Sequence, residues 1–381
     1  MTMEIYVVKQ GDTVNEVAST HGVSAETIIY DNQLIYPYRL AIGQALLINT
    51  GQTNKTMEIK SNGYAYPFIS RWVLDNTLPY LSELSIFSYG FNTEGELIPP
   101  VLDDEWMVEK ALNTSTLPIL TLTPFGADGN FDNTLINAIV NDVKARDRLI
   151  QNLLTVMQEK SYGGLDIDFE FIKAEDRDTF TEFVRVCAER MHEFGFQVSV
   201  ALAPKTSAMQ KGILYEGKDY RALGEAADHV LVMTYEWGYT YGPPMAVAPL
   251  NMVRNVLEYA VTEILPEKIS MGIPNYGYDW ELPYERGITR ARTIGNIEAV
   301  RIAIERGAEI KFDEVAMTPY FNYDSNGVTH EVWFEDARSI QAKYDLIKEL
   351  NLRGPGFWQI MQLFRTNWLL LESYFFIQKE D

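Results

Sequence analysis

The 381-residue sequence predicts an α/β fold: a (β/α)8 barrel with an α+β insertion near its C-terminal end, preceded by a small βααβ module. Three observations carry that prediction. From Gly63 onward, short apolar runs alternate with helical runs, as βα units do. Eight of the apolar runs read as strands, the number that closes a parallel barrel. Ahead of them, residues 4–48 hold a β-α-α-β order of their own between capping and turn residues.

In the N-terminal unit, assigned to residues 1–50, Ile5-Tyr6-Val7-Val8 reads as a strand and Gln10-Gly11-Asp12-Thr13 as a turn. Thr13 is an N-cap for Val14 to Thr20, and Gly22 is a stop. Ser24 caps a second helix that ends near Asp31-Asn32, and Gly43 to Ile48 closes the unit as a second strand. Residues 51–62 are polar and weakly patterned and read as a linker. The barrel domain is then expected over 63–381. Its candidate strands are Gly63–Ile69, Leu84–Tyr89, Ile119–Pro124, Gly164–Phe171, Val198–Ala203, His229–Tyr235, Lys268–Ile273 and Gly356–Ile360. Helical runs span Asp132–Asn141, Ala145–Glu159, Arg177–Glu193, Asn251–Ile264 and Glu335–Glu349. The turn Asp324-Ser325-Asn326-Gly327, followed by Val328–Phe334, predicts half of a hairpin. With a helix from Ile297 to Glu305 it forms the insertion, over about 278–335, between the last two barrel strands.

Composition narrows the partners. A formal net charge of −21 argues against a phosphate backbone and against anionic membrane surfaces, so neither nucleic acid nor membrane is expected. No stretch reaches the roughly 20 apolar residues of a spanning helix. The nearest, Trp368 to Ile377, is interrupted by Glu372. The 22 Tyr, 18 Phe and 7 Trp suit ligands held by stacking and hydrogen bonds. Cys187 is the sole cysteine, so no intramolecular disulfide forms. Its neighbours at helical spacing, Phe180, Phe183, Val184 and Met191, mark it as a buried thiol. The start, MTMEIYVVKQGDT, has no basic segment followed by an apolar core; no signal peptide is expected, and folding in a cytosol is. His21, His192, His229 and His330 stand in no metal-ligand spacing, and no nucleophile elbow or nucleotide fingerprint occurs. Neither a metal nor another cofactor is expected, and nothing sets an oligomeric state.

The chemistry concentrates in Gly163-Gly164-Leu165-Asp166-Ile167-Asp168-Phe169-Glu170. On a strand, successive side chains alternate between faces, so the three acids share one face and Leu165, Ile167 and Phe169 the other. Burying a row of acids disfavours ionisation through both desolvation and like-charge repulsion. One carboxyl can thereby stay protonated near neutral pH, as a general acid acting on a glycosidic oxygen requires.

This run resembles the DxxDxDxE active-site strand of glycoside hydrolase family 18, the chitinase-like TIM barrels, with Gly163 in place of the first Asp. The resemblance implies a retaining mechanism without a protein nucleophile: the substrate's own 2-acetamido oxygen attacks, an exception to the two-carboxylate scheme. Glu170 would be the general acid and then base, and Asp168 would orient the acetamide. Tyr235 would hold the acetamido oxygen, and Asp166 would tune Asp168 or be simply a buried structural acid. Trp358, in Gly356-Phe357-Trp358-Gln359, resembles the family's sugar platform. Met233-Thr234-Tyr235-Glu236-Trp237 resembles the family's Met-x-Tyr-Asp, with Glu236 either a substrate-binding acid or a loop anchor. Met233, Trp237, Asn275, Tyr276 and Gln359 complete the implied substrate-binding set.

Tyr6-Val7-Val8, Gly11-Asp12-Thr13, Asn32 and Gly43 to Ile48 resemble a LysM module, a binder of N-acetylglucosamine polymers. The resemblance implies sugar between the loops Gly11–Val14 and Leu40–Gly43, contacted by Gly11, Asp12, Thr13, Leu40 and Ile42. The module joined to this barrel, together with Pro243 to Pro249 and His330 to Ala337, resembles the spore cortex-fragment-lytic N-acetylglucosaminidases of endospore formers. That branch implies cleavage of the β-1,4 bond on the N-acetylglucosamine side of cortex peptidoglycan or its muramic-lactam fragments. It also implies a place at the spore coat and cortex after synthesis in the mother-cell cytosol. Two alternatives stand beside it. A chitinase acting on chitin-type glycans would use the same residues, and a non-hydrolytic glycan-binding barrel would usually lack the acid at position 170.

Overall fold

In the computed structural model, which describes residues 3–51, 55–126 and 131–379, eight parallel strands close into a barrel. They are Asn62–Ala65, Glu83–Phe91, Leu117–Leu122, Gly164–Ile167, Gln197–Leu202, His229–Val232, Ile269–Pro274 and Gly354–Trp358. Each pairs with the next in sequence, and the first pairs with both the second and the eighth, which leaves no open edge in the ring. The expected helices form within about two residues of their predicted bounds, for example Arg177–His192 and Ala337–Leu350. Cys187 is a fully buried free thiol on the first of these.

Several strand ends differ from expectation. The first strand stops at Ala65 rather than Ile69, where Pro67 removes a donor from the ladder. The fourth and sixth stop at Ile167 and Val232, not at Phe171 and Tyr235, and the eighth spans Gly354–Trp358 rather than Gly356–Ile360. At this rim one further ladder bond persists on each of the fourth and sixth, from Asp168 N–H to Leu122 O and from Met233 N–H to Leu202 O (both 2.9 Å), before the chains turn away. Helices over Glu105–Leu112, Tyr220–Ala226 and Arg365–Tyr374 were not among those predicted.

Between the seventh and eighth strands lies the insertion, a five-stranded antiparallel sheet with the helix Asn296–Arg306. Its central hairpin joins Thr318–Ser325 to Val328–Trp333 through Asn326-Gly327, both at positive φ (51° and 79°), as a two-residue hairpin turn demands.

The N-terminal module forms as its caps predict. Thr13 and Glu16 make a reciprocal capping box on Val14–His21, Gly22 ends that helix at φ 67°, and Ser24 caps Ala25–Asp31. Strands Glu4–Val7 and Ala45–Ile48 pair antiparallel. Asn32 is buried and clamps the unit, donating to Ile28 O and Leu47 O and accepting from Leu47 N–H (2.7–3.0 Å).

This module is not a bead on a string. Of the stretch expected as a linker, 52–54 lie outside the described residues, but Met57–Ile59 is a strand paired with Phe375–Ile377. Met3 and Leu47 join the barrel's apolar core. Ile310 N–H donates to Ile42 O (2.9 Å), Arg338 to Gly43 O (3.1 Å), and the Arg365 guanidinium lies 3.9 Å from the centre of the Tyr30 ring. Gly43 must be glycine for this fit: its φ is 81°, and a Cβ there would lie 1.8 Å from Ile310 O. Removing residues 1–50 is therefore expected to lower Tm by about 5 °C or more, since every lost kcal/mol moves a large domain by a few degrees. Calorimetry of the truncated chain reads this, and an unchanged Tm would mean that the contacts contribute nothing.

Candidate active site

The row of acids follows the alternation expected of it. Phe169 points outward and stacks on Phe183 of the helix Arg177–His192, with ring centroids 5.6 Å apart. Asp166 points into the barrel, fully buried, where it accepts hydrogen bonds from Ser199 Oγ (2.6 Å) and Tyr64 OH (3.0 Å). Asp168 is 6% exposed, and its Oδ1 is buried without a hydrogen-bond partner. Glu170, three residues beyond the strand end and half-buried, opens into a cleft of about 220 Å³ that it shares with Pro204, Tyr215, Met233, Tyr235 and Trp237.

Burial decides the charge of these groups. It pushes Asp166 up to about 6, against the pull of the two hydroxyls that favour its ionised form. It pushes Asp168 well above the usual carboxylate range, helped by the charges of Glu170 and Asp166. Glu170 is raised by burial as well, with Lys218 pulling the other way. A proton is thus available on this row near neutral pH.

The sixth strand delivers Tyr235 beside the acids, and burial together with their charges pushes its phenol well up. Its ring needs Gly272 on the seventh strand, where a Cβ would lie 2.7 Å from Tyr235 Cε1. Glu236, at φ 67°, is exposed as a residue, yet its carboxylate accepts from Tyr276 OH and from Tyr278 OH (3.0 Å). Trp358, half-buried, is braced by Phe87, Tyr64 and Tyr66, with ring centroids 5.0–6.2 Å apart. Asn275 is buried, and its amide donates to Gln359 O and Gln362 O (3.0 Å each), holding the loop after Trp358. Gln359 turns back to accept from Met361 N–H (2.7 Å). Asn275 and Gln359 thus lock the loop that carries Trp358, while Met233, Tyr235 and Trp237 line the cleft.

Three residues of the site were missed. Tyr64 and Ser199, the partners of Asp166, are polar residues on apolar strands, and that break in pattern was their only signal. Lys218 follows a loop and carried no signal at all, yet it is fully buried and its Nζ donates to Ala201 O (2.6 Å). Gly163, the departure from the family pattern, is closely packed: a Cβ there would lie 2.2 Å from Leu117 Cδ1, so any larger residue requires the Leu117 side chain to shift.

On the N-terminal module, Gly11 (φ 90°) and Asp12 build the expected turn, Asp12 accepting from Tyr6 OH and Lys9 N–H (2.7 Å each). Thr13 is exposed, Leu40 half-buried, and the Ile42 side chain exposed although its carbonyl is taken by Ile310. A second cavity of about 220 Å³ lies where this module meets the insertion, among Tyr36, Arg39, Ile297 and Arg301. It contains none of the acid row. Among the described residues no cluster of His, Cys, Asp and Glu is arranged to hold a metal ion, and no helix is long and apolar enough to cross a membrane.

With this geometry in hand, the family model described as glycosyl hydrolases family 18 matches residues 119–362. The chain belongs to glycosyl hydrolases family 18. A LysM domain model matches residues 6–49. Over 99% of both chains, this family 18 protein is 37% identical to the cortical fragment-lytic enzyme of Bacillus subtilis (strain 168). It is 36% identical to the cortical fragment-lytic enzyme of Bacillus anthracis, over 99% of this chain and 100% of that one. The solved structure of the Bacillus cereus spore cortex-lytic enzyme SleL superposes with a TM-score of 0.95 at 32% identity, covering 100% of this chain and 99% of the other.

Proposed function

We propose that this family 18 protein is a cortex-fragment-lytic β-N-acetylglucosaminidase that cleaves β-1,4 bonds on the N-acetylglucosamine side of spore cortex peptidoglycan or its muramic-lactam fragments. The observation that carries the reading is the row of three acids at the end of the fourth barrel strand, with Asp166 and Asp168 buried and Glu170 opening into the cleft. Full-length similarity to cortical fragment-lytic enzymes supports the choice of substrate.

In this mechanism the protonated Glu170 donates to the glycosidic oxygen as the bond breaks. The substrate's acetamido oxygen attacks the anomeric carbon from the other side, forming an oxazolinium-like intermediate. Asp168 accepts from the acetamide N–H and balances the positive charge, and Tyr235 OH holds the acetamido oxygen. Asp166, held by hydrogen bonds from Tyr64 and Ser199, shares one negative charge with Asp168 and so tunes it. Glu170, now a carboxylate, takes a proton from a water whose oxygen bonds the anomeric carbon as the bond to the acetamido oxygen breaks, which restores the acetamide and completes hydrolysis. Trp358 floors the sugar, with Met233, Trp237, Tyr276 and the Glu236 carboxylate around it, and Asn275 and Gln359 fix its loop. The Gly11–Thr13 turn and the Leu40 and Ile42 side chains present the module's glycan edge, and a place in the spore coat and cortex follows from the substrate.

Mass spectrometry of products from muramic-lactam cortex fragments and from chitooligosaccharides tests this. Cortex fragments cut to leave reducing-end N-acetylglucosamine are expected. Cleavage of chitooligosaccharides alone would make the protein a chitinase, and cleavage of neither would leave glycan binding.

A further inference from the structure

Three lysines are buried among the described residues, and two have evident work. Lys343 pairs with the buried Glu335 (2.8 Å), and Lys205 reaches the backbone carbonyl of Lys218 (2.9 Å). Lys218 is different. Its ammonium is fully enclosed and donates to Ala201 O on the fifth strand (2.6 Å), and among the described residues no carboxylate lies within salt-bridge distance of it. A buried ammonium without an anion is strongly disfavoured, so nearby negative charge must offset it. The backbone shows where that charge sits. Lys218 N–H is held by Tyr215 O (3.2 Å), and Gly217 lies so close to the chain just after Glu170 that a Cβ would be 2.3 Å from Ile172 O. Asp166 pairs in register with Ser199 and Ile167 with Val200, so Ala201, whose carbonyl the Lys218 ammonium reaches, stands beside Asp168. The acids it feels are Asp168, Glu170 and Asp166, which oppose the burial that pulls its pKa down to about 8. Burial raises all three acids, and the charges of the other two raise Asp168 further, so each added carboxylate charge there is disfavoured.

We propose that Lys218 is a positioning residue for glycosidic cleavage: its enclosed ammonium is the counter-charge that lets one of the two inner aspartates stay ionised while Glu170 keeps its proton. This rests on the glycosidase reading above and deepens it. Three acids with one enclosed cation reach neutrality with a single carboxylate, shared between Asp166 and Asp168, which is the protonation pattern that acetamide participation needs. Also facing the row are the phenols Tyr64, Tyr66 and Tyr235, the Glu236 carboxyl, which feels the charge of Glu170 from the cleft side, and Glu83, whose charge raises Asp166 from the far end of the barrel. Lys205 meets Lys218 only at its carbonyl.

Carboxyl-carbon NMR titration of the full chain, wild type against Lys218→Met, tests the assignment. Removing the cation is expected to move the first ionisation among Asp166 and Asp168 upward by about one pH unit or more. The acid limb of kcat/KM should move with it, whereas Lys218→Arg keeps both near wild type. A folded Met variant with unmoved carboxyl midpoints overturns the proposal. Should the Met variant not fold, the wild-type side-chain resonance of Lys218 serves instead. Its deprotonation must displace the Asp166 and Asp168 carboxyl signals, and carboxyls silent through that titration overturn the proposal. If the wild type cleaves no glycan, the glycosidase reading fails while the carboxyl titration still decides the role of the cation.

Discussion

Glu170→Gln is expected to lower kcat by about 10²–10⁴-fold, the usual contribution of a positioned acid–base group. The amide keeps the shape of the side chain but can neither donate a proton to the leaving oxygen nor accept one from water, so KM should change little. Stability separates this outcome from damage to the fold. Burial raises the folded pKa of Glu170 above its unfolded value, so its contribution to stability is fully present at low pH and is lost as pH rises through the folded pKa. Gln does not ionise. The variant should therefore match wild type in stability near pH 4 and equal or exceed it at pH 8, as read by urea unfolding at both. Turnover within a factor of ten of wild type would remove Glu170 from the role of acid.

What was legible in the sequence were features with a local cause. The period-two alternation of Asp166, Asp168 and Glu170 against Leu165, Ile167 and Phe169 needs no partner to be read, and both faces form as expected. The caps at Thr13, Gly22 and Ser24 act within one turn of their helices. Strand ends at the barrel rim were overextended, because apolar patterning continues through Phe171 and Tyr235 after the ladder has ended. What lay hidden were contacts between distant segments. Tyr64 meets Asp166 across 102 residues, and Met57–Ile59 becomes a strand only because Phe375–Ile377 lies beside it. Lys218 is hidden more deeply still, since a lysine in a loop without periodicity reads as solvated until the fold encloses it.

The same logic makes burial by itself uninformative about charge. Glu83 is as fully buried as Asp166, but at the N-terminal end of the barrel strands, and its pKa is held down to about 2 rather than pushed up. The difference is its partners. Burial alone would raise Glu83, but Arg353 bonds it at 2.6 Å, His229 stands 3.5 Å away and Gln197 donates at 2.9 Å. Charge is balanced locally: the ion-paired Glu83 stabilises the N-terminal end of the barrel strands, and acids without a salt-bridge partner supply the chemistry at the other.

Arg353→Met is accordingly expected to destabilise the protein by about 3–5 kcal/mol at pH 7, the penalty for stranding one member of a buried ion pair. The pH dependence gives the mechanism away. In wild type the folded pKa of Glu83 is depressed, so its contribution is present above the unfolded value near 4.5 and is lost as pH falls toward about 2. Without Arg353, desolvation dominates, the folded pKa rises, and Glu83 is easier to bury protonated than ionised. The deficit of the variant should then shrink as pH drops from 7 to 5, and the double substitution Glu83→Gln with Arg353→Met should recover part of it by removing the stranded charge. Urea unfolding of wild type and both variants at the two pH values reads all of this. A deficit that stays constant with pH and is not eased by Glu83→Gln would mean that Arg353 matters for its packing and not for its charge.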